Sequence, residues 1–201
     1  MKTNKKIIAL LVGLMSIPAF ARSEGLLNYK PPKTGAPIIH TGGGTRNLGL
    51  KTPQIQVLAP PHTALTGQAQ PKLYWYLSET KPQTIEITLI EEGIPQPLLT
   101  KQLTSNAKTG LQYLSLSDAG VSLTAGKDYY WSVAVVNNGQ GANDNIASAT
   151  FRYQVPPAPL PTIEQQAAAG YWYDVLQKLI DSRSPLTNDI LKQIGINIPA
   201  L

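Results

Sequence analysis

Apolar and polar residues alternate in seven short runs of this chain, and this pattern constrains the fold more than any other feature. In one run, Ile85, Ile87 and Leu89 point to one face of an extended chain and the residues between them to the other. The runs cover residues 55–58, 72–77, 84–90, 98–103, 112–116, 129–136 and 146–155. Strands with a single apolar face favour antiparallel sheets packed face to face. We therefore predict a mainly β fold, with a β-sandwich over residues 54–155.

The turn before the sixth run indicates which kind of sandwich this is. Leu123 lies six residues before Tyr129, Gly126 lies between them, and Trp131 follows on the same face of the strand. This spacing resembles the tyrosine corner of fibronectin type III and immunoglobulin-like sandwiches, where the tyrosine hydroxyl bonds the turn backbone. The alternative is an ordinary strand that begins with Tyr after a glycine turn. We predict an immunoglobulin-like antiparallel β-sandwich in which Tyr129 fixes the corner and Trp131 lies in the core.

The pattern changes from strand to helix after residue 155. Residues 156–161 contain four prolines and predict a stiff, extended linker. Beyond them an apolar stripe recurs at helical spacing through Ala168, Tyr171, Trp172, Val175, Leu176, Leu179 and Ile180. Ser184-Pro185 is a typical helix start and Gly195 a typical stop. Residues 162–201 are therefore predicted to form a C-terminal α-helical hairpin, with Trp172 covered by its own sandwich or by a partner.

The first 21 residues predict an export signal. Lysines precede the apolar residues 7–17, and Ala19-Phe20-Ala21 has the small-x-small pattern of a cleavage site. We expect cleavage after Ala21 and a periplasmic or secreted product, because the apolar stretch is too short to span a bilayer and no later stretch is long enough. Residues 22–53 are rich in Gly and Pro and predict a partly ordered leader. The chain contains no Cys, so folding depends on packing without disulfides.

The basic charge of the chain comes mostly from the predicted signal. The sequence has 17 Lys and Arg against 12 Asp and Glu. Three of the basic residues lie in the first 21, which leaves 14 minus 12, or +2, for the mature part. A nucleic-acid partner is not expected, because no cluster of Lys and Arg remains to follow a phosphate backbone.

No motif in the sequence points to catalysis, a cofactor or a metal. His40 and His62 lack the spacing of a zinc-binding pair. Glu91 and Glu92 are adjacent on a predicted strand, so their side chains point to opposite faces and cannot act as an acid/base pair. The glycines of residues 42–44 lack the ending of a phosphate-binding loop. We therefore predict no enzyme, while a hydrolase with a dispersed site remains an open alternative.

Two surfaces are candidates for binding. If Trp75 faces inward, Tyr74 and Tyr76 lie together on the outer face and could stack against a glycan or peptide. Asn138 and Asp144 lie in a loop between the last two strands, at an end of the sandwich where such folds hold binding surfaces. These patterns favour a non-catalytic module that binds a periplasmic or cell-envelope protein. The alternative is a carbohydrate-binding module that uses the exposed tyrosines.

Several short motifs together resemble one known family. They are Gly35-Ala36-Pro37, the glycine run ending in Thr45-Arg46, Leu58-Ala59-Pro60, Pro71 with Tyr74-Trp75-Tyr76, Tyr129 with Trp131, Phe151-Arg152, and Trp172-Tyr173-Asp174 with Leu176 and Leu179. This set resembles the bacterial secreted family known as domain of unknown function 928. The resemblance implies export and a strand-then-helix layout, and it implies no known activity or catalytic residue.

Overall fold

The computed structural model describes residues 27–33, 55–78, 83–105, 110–136 and 146–199. The predicted signal with its cleavage site at Ala21, the glycine run of residues 42–44, and the loop residues Asn138 and Asp144 lie outside the described residues. The same holds for the predicted leader, apart from residues 27–33.

The strands form two sheets packed face to face. They are β1 Ile55–Val57, β2 Ala64–Thr66, β3 Lys72–Leu77, β4 Gln83–Glu91, β5 Leu99–Ser105, β6 Gly110–Ser115, β7 Asp128–Val136 and β8 Ile146–Tyr153. One sheet has the order β1-β3-β6 and the other the order β2-β8-β7-β4-β5. The strands β1, β3 and β6 take the places of A, B and E of an immunoglobulin-like sandwich, and β4, β7 and β8 those of C, F and G. The predicted fold class is confirmed.

The predicted alternation places the core between the sheets. Ile85, Ile87 and Leu89 are buried, as are Trp75 and Trp131 from facing sheets. The short strand β2 was not predicted, because all three of its residues are buried and its sequence Ala-Leu-Thr has no alternation. It pairs with β8 in parallel, the one parallel pair among the described strands.

The turn before β7 has the geometry of a tyrosine corner. The hydroxyl of Tyr129 accepts a hydrogen bond from the backbone N–H of Thr124 at 2.8 Å. Gly126 adopts φ +80, which a residue with a side chain rarely adopts. Tyr129 and Trp131 are both buried, since they face the interior of the sandwich on alternate residues of β7.

Three helices follow the strands, whereas the sequence predicted a hairpin of two helices. They are α1 Ile163–Ala168, α2 Trp172–Asp181 and α3 Leu186–Gln193. Thr162 begins α1 with a capping box completed by Gln165. The predicted stripe is interrupted at Gly170, which adopts φ +85 and has Pro32 so close that a Cβ would lie 2.8 Å from the proline ring. A left-handed residue ends a helix, and α2 therefore starts in a new direction.

The segment from Thr162 to Pro199, which we call the helical cap, docks on its own sandwich. Its helix α2 contacts β2 of one sheet and β3 of the other. The indole Nε1 of Trp172 donates to the carbonyl of Leu58 at 2.8 Å. The hydroxyl of Tyr173 accepts from the indole of Trp131 at 3.0 Å, so this side chain reaches between the sheets. The apolar stripe of the cap is thus covered within one chain.

Residues 27–33 lie against the helical cap. The ring of Tyr29 meets that of Trp172 edge-on, with centroids 4.9 Å apart. The amide of Gln193 accepts from the backbone N–H of Tyr29 and donates to the carbonyl of Leu27. None of the helices in the described part of the chain has the length and apolar character that crossing a bilayer requires.

Candidate functional site

The predicted surface of Tyr74 and Tyr76 does not form, because Tyr74 is buried. Its side chain is 2% exposed, and its ring packs at a tilt against Tyr113 with centroids 5.8 Å apart. Lys72, on the same face of β3, binds Asp181 of α2 at 3.0 Å, so the helical cap reaches this end of the sheet. Burial raises the pKa of Tyr74, and the negative charge of Asp181 acts in the same direction. The exposed aromatic on this face is Tyr113, beside the half-buried Tyr76.

Most of the interior groups with shifted pKa values hold the helical cap in place. Asp174 of α2 accepts from the backbone N–H of Gly67 at 2.9 Å and from the amide of Gln68 at 3.3 Å. Burial raises the pKa of this carboxyl, and these hydrogen bonds offset part of the effect. Burial also raises the pKa of Tyr173, which accepts from Trp131. These groups are used in docking the cap.

His62, which lacks the sequence spacing of a zinc-binding pair, belongs to the same region. Its Nε2 lies 2.9 Å from the hydroxyl of Tyr29, and the two rings stack with centroids 5.8 Å apart. Burial lowers the pKa of His62. Burial raises the pKa of Tyr29. His62 therefore links the loop before β2 to residues 27–33.

A groove of about 730 Å³ lies on the outer face of the five-stranded sheet, beside the turn between β4 and β5. Its floor is a row of outward side chains on three adjacent strands, because Ile90 pairs with Tyr130 and Tyr130 pairs with Thr150. The row continues to Thr63, whose hydroxyl oxygen lies 3.2 Å from that of Thr150. The alternation that buries one face of these strands also places this row outside.

The β4–β5 turn forms an apolar wall of the groove. The backbone N–H of Ile94 donates to the carbonyl of Glu91, and Gly93 adopts φ +81. Ile94 is 46% exposed, and Leu98 on the far side of the turn is 41% exposed. The turn therefore presents large apolar side chains to solvent next to the floor.

Charged side chains form a second row beside the groove, where β4, β7 and β8 end or begin. The backbone N–H of Glu92 donates to the carbonyl of Asp128, and Asp128 pairs with Arg152 across β7 and β8. The guanidinium of Arg152 makes two bonds of 2.6 Å to the Asp128 carboxylate. The hydrogen bonds that Arg152 donates to the Asp128 carboxylate raise the pKa of Arg152, and the negative charges of Asp128 and Glu92 add to this.

Three carboxylates and two cations meet around the groove. Lys127 lies 3.7 Å from Glu91, and Arg152 is paired with Asp128, so the carboxylate of Glu92 gives the site a charge of −1. No group of three or more His, Cys, Asp or Glu side chains suited to a metal occurs within the described ranges. The arrangement offers an apolar floor, hydroxyl groups and one carboxylate for recognition.

Sequence reasoning did not predict this groove. Glu91 and Glu92 were considered as an acid/base pair and rejected, and Ile90, Ile94 and Tyr130 were not singled out. The sequence holds one signal that could have indicated the site. Ile94 follows Gly93 and precedes Pro95 in a turn, where a large apolar side chain has no strand partner to bury it.

Comparison with known proteins identifies a family and finds solved structures with low similarity to this chain. A family model described as Domain of Unknown Function (DUF928) matches residues 41–194. No curated protein matches the chain. An engineered protein studied as a structural genomics target is 13% identical, with a TM-score of 0.34 over 51% of this chain and 20% of that one. FN3tt is 18% identical, with a TM-score of 0.29 over 51% of this chain and 98% of that one. The matched region spans only one fifth of the engineered protein.

Proposed function

This chain belongs to the DUF928 family, and we propose that it is an exported, non-catalytic module that binds a cell-envelope protein. The binding site in this proposal is the groove beside the β4–β5 turn. The observation that carries it is an apolar floor and wall left open to solvent, whereas most other large apolar side chains in the described part of the chain are buried or half-buried.

Exposed apolar side chains around a concave site favour recognition. Ile94 and Leu98 present their side chains from the turn, while Ile90 and Tyr130 form the floor. Patches of this kind often mark interaction sites in soluble proteins. The volume of about 730 Å³ falls in the range of sites that hold a small ligand or a short peptide segment.

The helical cap is the weaker candidate for the binding surface. Its stripe, including Trp172, Val175, Leu176 and Leu179, is buried against the sandwich of the same chain. A partner that used this stripe would have to displace bonds such as that from Trp172 to the Leu58 carbonyl. The groove is open without any rearrangement, which favours it.

A binding role is also favoured by the way charged groups are paired. Near the groove, Asp128 is held by Arg152, and the Glu91 carboxylate lies close to Lys127. In the interior, Asp174 accepts hydrogen bonds that dock α2. A general acid or base needs a free position on its reacting group. These carboxylates are instead engaged in structural contacts.

Export forms the other half of the proposal and is supported by the first 21 residues. We expect the mature chain to start at Arg22, after Ala21. N-terminal sequencing of the protein from the periplasm or culture medium tests this. An exported protein that still carries Met1 would contradict the predicted cleavage.

The groove is tested with two matched substitutions. Ile94→Glu places a charge on the exposed wall, and Val155→Glu places the same charge at a similarly exposed apolar residue outside the groove. The source organism is treated with a cross-linker, and proteins bound to wild type and to each variant are compared by mass spectrometry. We expect a specific partner with wild type and with Val155→Glu, and its loss with Ile94→Glu. Equal capture by all three would overturn the proposal.

A second candidate function is carbohydrate binding on the outer face of the three-stranded sheet. The observation that favours it is Tyr113, which is 53% exposed and has the Lys72 ammonium 5.3 Å from its ring centroid. Tyr76 lies diagonally across the strand pair, because Tyr74 is the residue opposite Tyr113. Binding to a glycan array that is lost with Tyr113→Ala and kept with Ile94→Glu would support this candidate.

A further inference from the structure

We infer that the groove selects an extended segment of its partner in which a Lys or Arg lies two residues from an apolar residue. This inference rests on the proposed function, since it names the chemistry that the same groove recognises. It follows from the spacing of the two rows of side chains that form the site.

The apolar position is set by the floor row. Ile90, Tyr130 and Thr150 lie side by side on three neighbouring strands. Strands lie about 4.8 Å apart, so the row is about 10 Å wide. Ile94 and Pro95 bound it on one side. A side chain that points down onto this row meets an aromatic ring and aliphatic groups, which favours an apolar or aromatic residue.

The basic position is set by the charged row. Asp128 precedes Tyr130 by two residues on the same face of β7, which places the charged row about 7 Å from the floor. Arg152 forms an ion pair with Asp128, so these two charges cancel. The carboxylate of Glu92 then gives the site its net charge of −1. A Lys or Arg of the partner would bring this charge to zero.

The separation of the rows matches the repeat of an extended chain. Side chains at positions i and i+2 of a strand point the same way and lie about 7 Å apart. A segment running along β7 would therefore place an apolar side chain over Tyr130 and a basic one beside Glu92. The next row of the sheet, with Thr88, Ser132 and Ser148, offers hydroxyl groups to the residue on the other side.

Selection from a random eight-residue peptide library on the immobilised mature chain tests the inference. We expect wild-type protein to enrich peptides in which Lys or Arg lies two positions from an apolar residue. With Glu92→Lys, the enriched charge should reverse to Asp or Glu, because the groove then carries an excess of positive charge. With Ile94→Glu, the enrichment should disappear.

One enriched peptide then serves as the probe for affinity. Glu92→Gln should weaken its binding by about two- to fivefold and reduce its dependence on salt, as expected for one exposed ion pair. Asp189→Asn is the matched control, because it removes one exposed carboxylate from α3, outside the groove. Equal losses in both variants would indicate general charge attraction and overturn the inference.

The outcomes separate this inference from the proposed function. Peptides that lack the basic residue but still require Ile94 would overturn the inference and leave the groove as a protein-binding site. Peptides that bind wild type and Ile94→Glu alike would overturn both. Glycans that bind in place of peptides, and that Ile94→Glu abolishes, would also overturn both.

Discussion

The helical cap and the groove lie on the same sandwich and use their side chains in opposite ways. In the cap, large apolar residues such as Trp172 and Leu179 are buried, and polar atoms within it bond to the strands and to residues 27–33. Around the groove, Ile94 is left exposed and Glu92 keeps a charge that the paired groups do not cancel. The difference indicates that the cap stabilises the fold and that the groove is available for a ligand.

The same contrast explains why helices follow the strands in this chain. Helix α2 packs across the side of the sandwich where β2 of one sheet and β3 of the other are neighbours of the helix. Its Tyr173 side chain fills the space between the two sheets there. Phe151 and Tyr173 are in contact there, with centroids 4.9 Å apart. The cap therefore completes the core, and its removal should affect the whole domain.

Deleting residues 162–201 is expected to have the largest effect. Five large side chains of α2, namely Trp172, Tyr173, Val175, Leu176 and Leu179, would be lost from the core. Each contributes about 1.5–3 kcal/mol when fully buried, and a domain has a net stability of only about 5–15 kcal/mol. We expect no cooperative transition in thermal or urea melts followed by circular dichroism. A deleted chain that melts at the wild-type temperature would show that the cap is not part of the core.

Trp172→Ala should have the next largest effect. The indole is fully buried and its Nε1 donates to the Leu58 carbonyl. Truncation should lower the free energy of unfolding by about 3–5 kcal/mol in urea melts. Tyr113→Ala is the control, since that ring is 53% exposed and its loss should cost less than about 1 kcal/mol. Similar losses of unfolding free energy in the two variants would mean that the buried cap residue and the exposed surface residue contribute equally to stability.

The sequence was sufficient to predict the sandwich because its strands have one apolar face and one polar, solvent-exposed face. Ile85, Ile87 and Leu89 alternate with polar residues, and the spacing before Tyr129 resembles that of a tyrosine corner. The helix break was not predicted because Gly170 lies within a continuous apolar stripe. Pro32, which is far away in the sequence, lies where a side chain at this position would be. Tertiary contacts of this kind leave no local pattern.

The candidate site was harder to predict for a related reason. The floor residues Ile90, Tyr130 and Thr150 come from three strands, and only the register brings them together. Tyr74 was expected on the surface because alternation gives the face of a sheet and not what covers it. The contact between Lys72 and Asp181, which brings the cap to that face, depends on docking that the sequence does not reveal.

Tyr129→Phe tests the boundary between the two regions, since this side chain is buried while its hydroxyl reaches the groove residue Glu91 at 3.4 Å. Loss of the bond from the Thr124 N–H should lower the free energy of unfolding by about 1 kcal/mol. The measurement is a urea melt of both proteins. An unchanged stability would mean that the corner bond is replaced by water at no cost.

The smallest effect is expected from pH, and it should come from the region of the helical cap. His62 stacks on Tyr29, and burial lowers its pKa, so the folded state favours the neutral imidazole. The unfolded chain takes up the proton near the usual value of about 6.5. The contribution of His62 is therefore fully present above that pH and is lost as the pH falls through the lower pKa of the folded state.

Asp174 should act in the opposite direction. Burial raises its pKa above the usual value, so its contribution is fully present below that value and is lost as pH rises through the folded pKa. Urea melts at pH 7.5, 6.5 and 5.5 measure the contribution of His62 to stability when wild type is compared with His62→Gln. The glutamine can still bond the Tyr29 hydroxyl and does not titrate. Wild type should lose stability towards pH 5.5 and the variant should lose less. The groove variant Glu92→Gln is the control, because Glu92 takes no part in the contact between His62 and Tyr29. If Glu92→Gln flattened the curve and His62→Gln did not, the pH-sensitive contacts would lie at the groove, and the division between the two regions would fail.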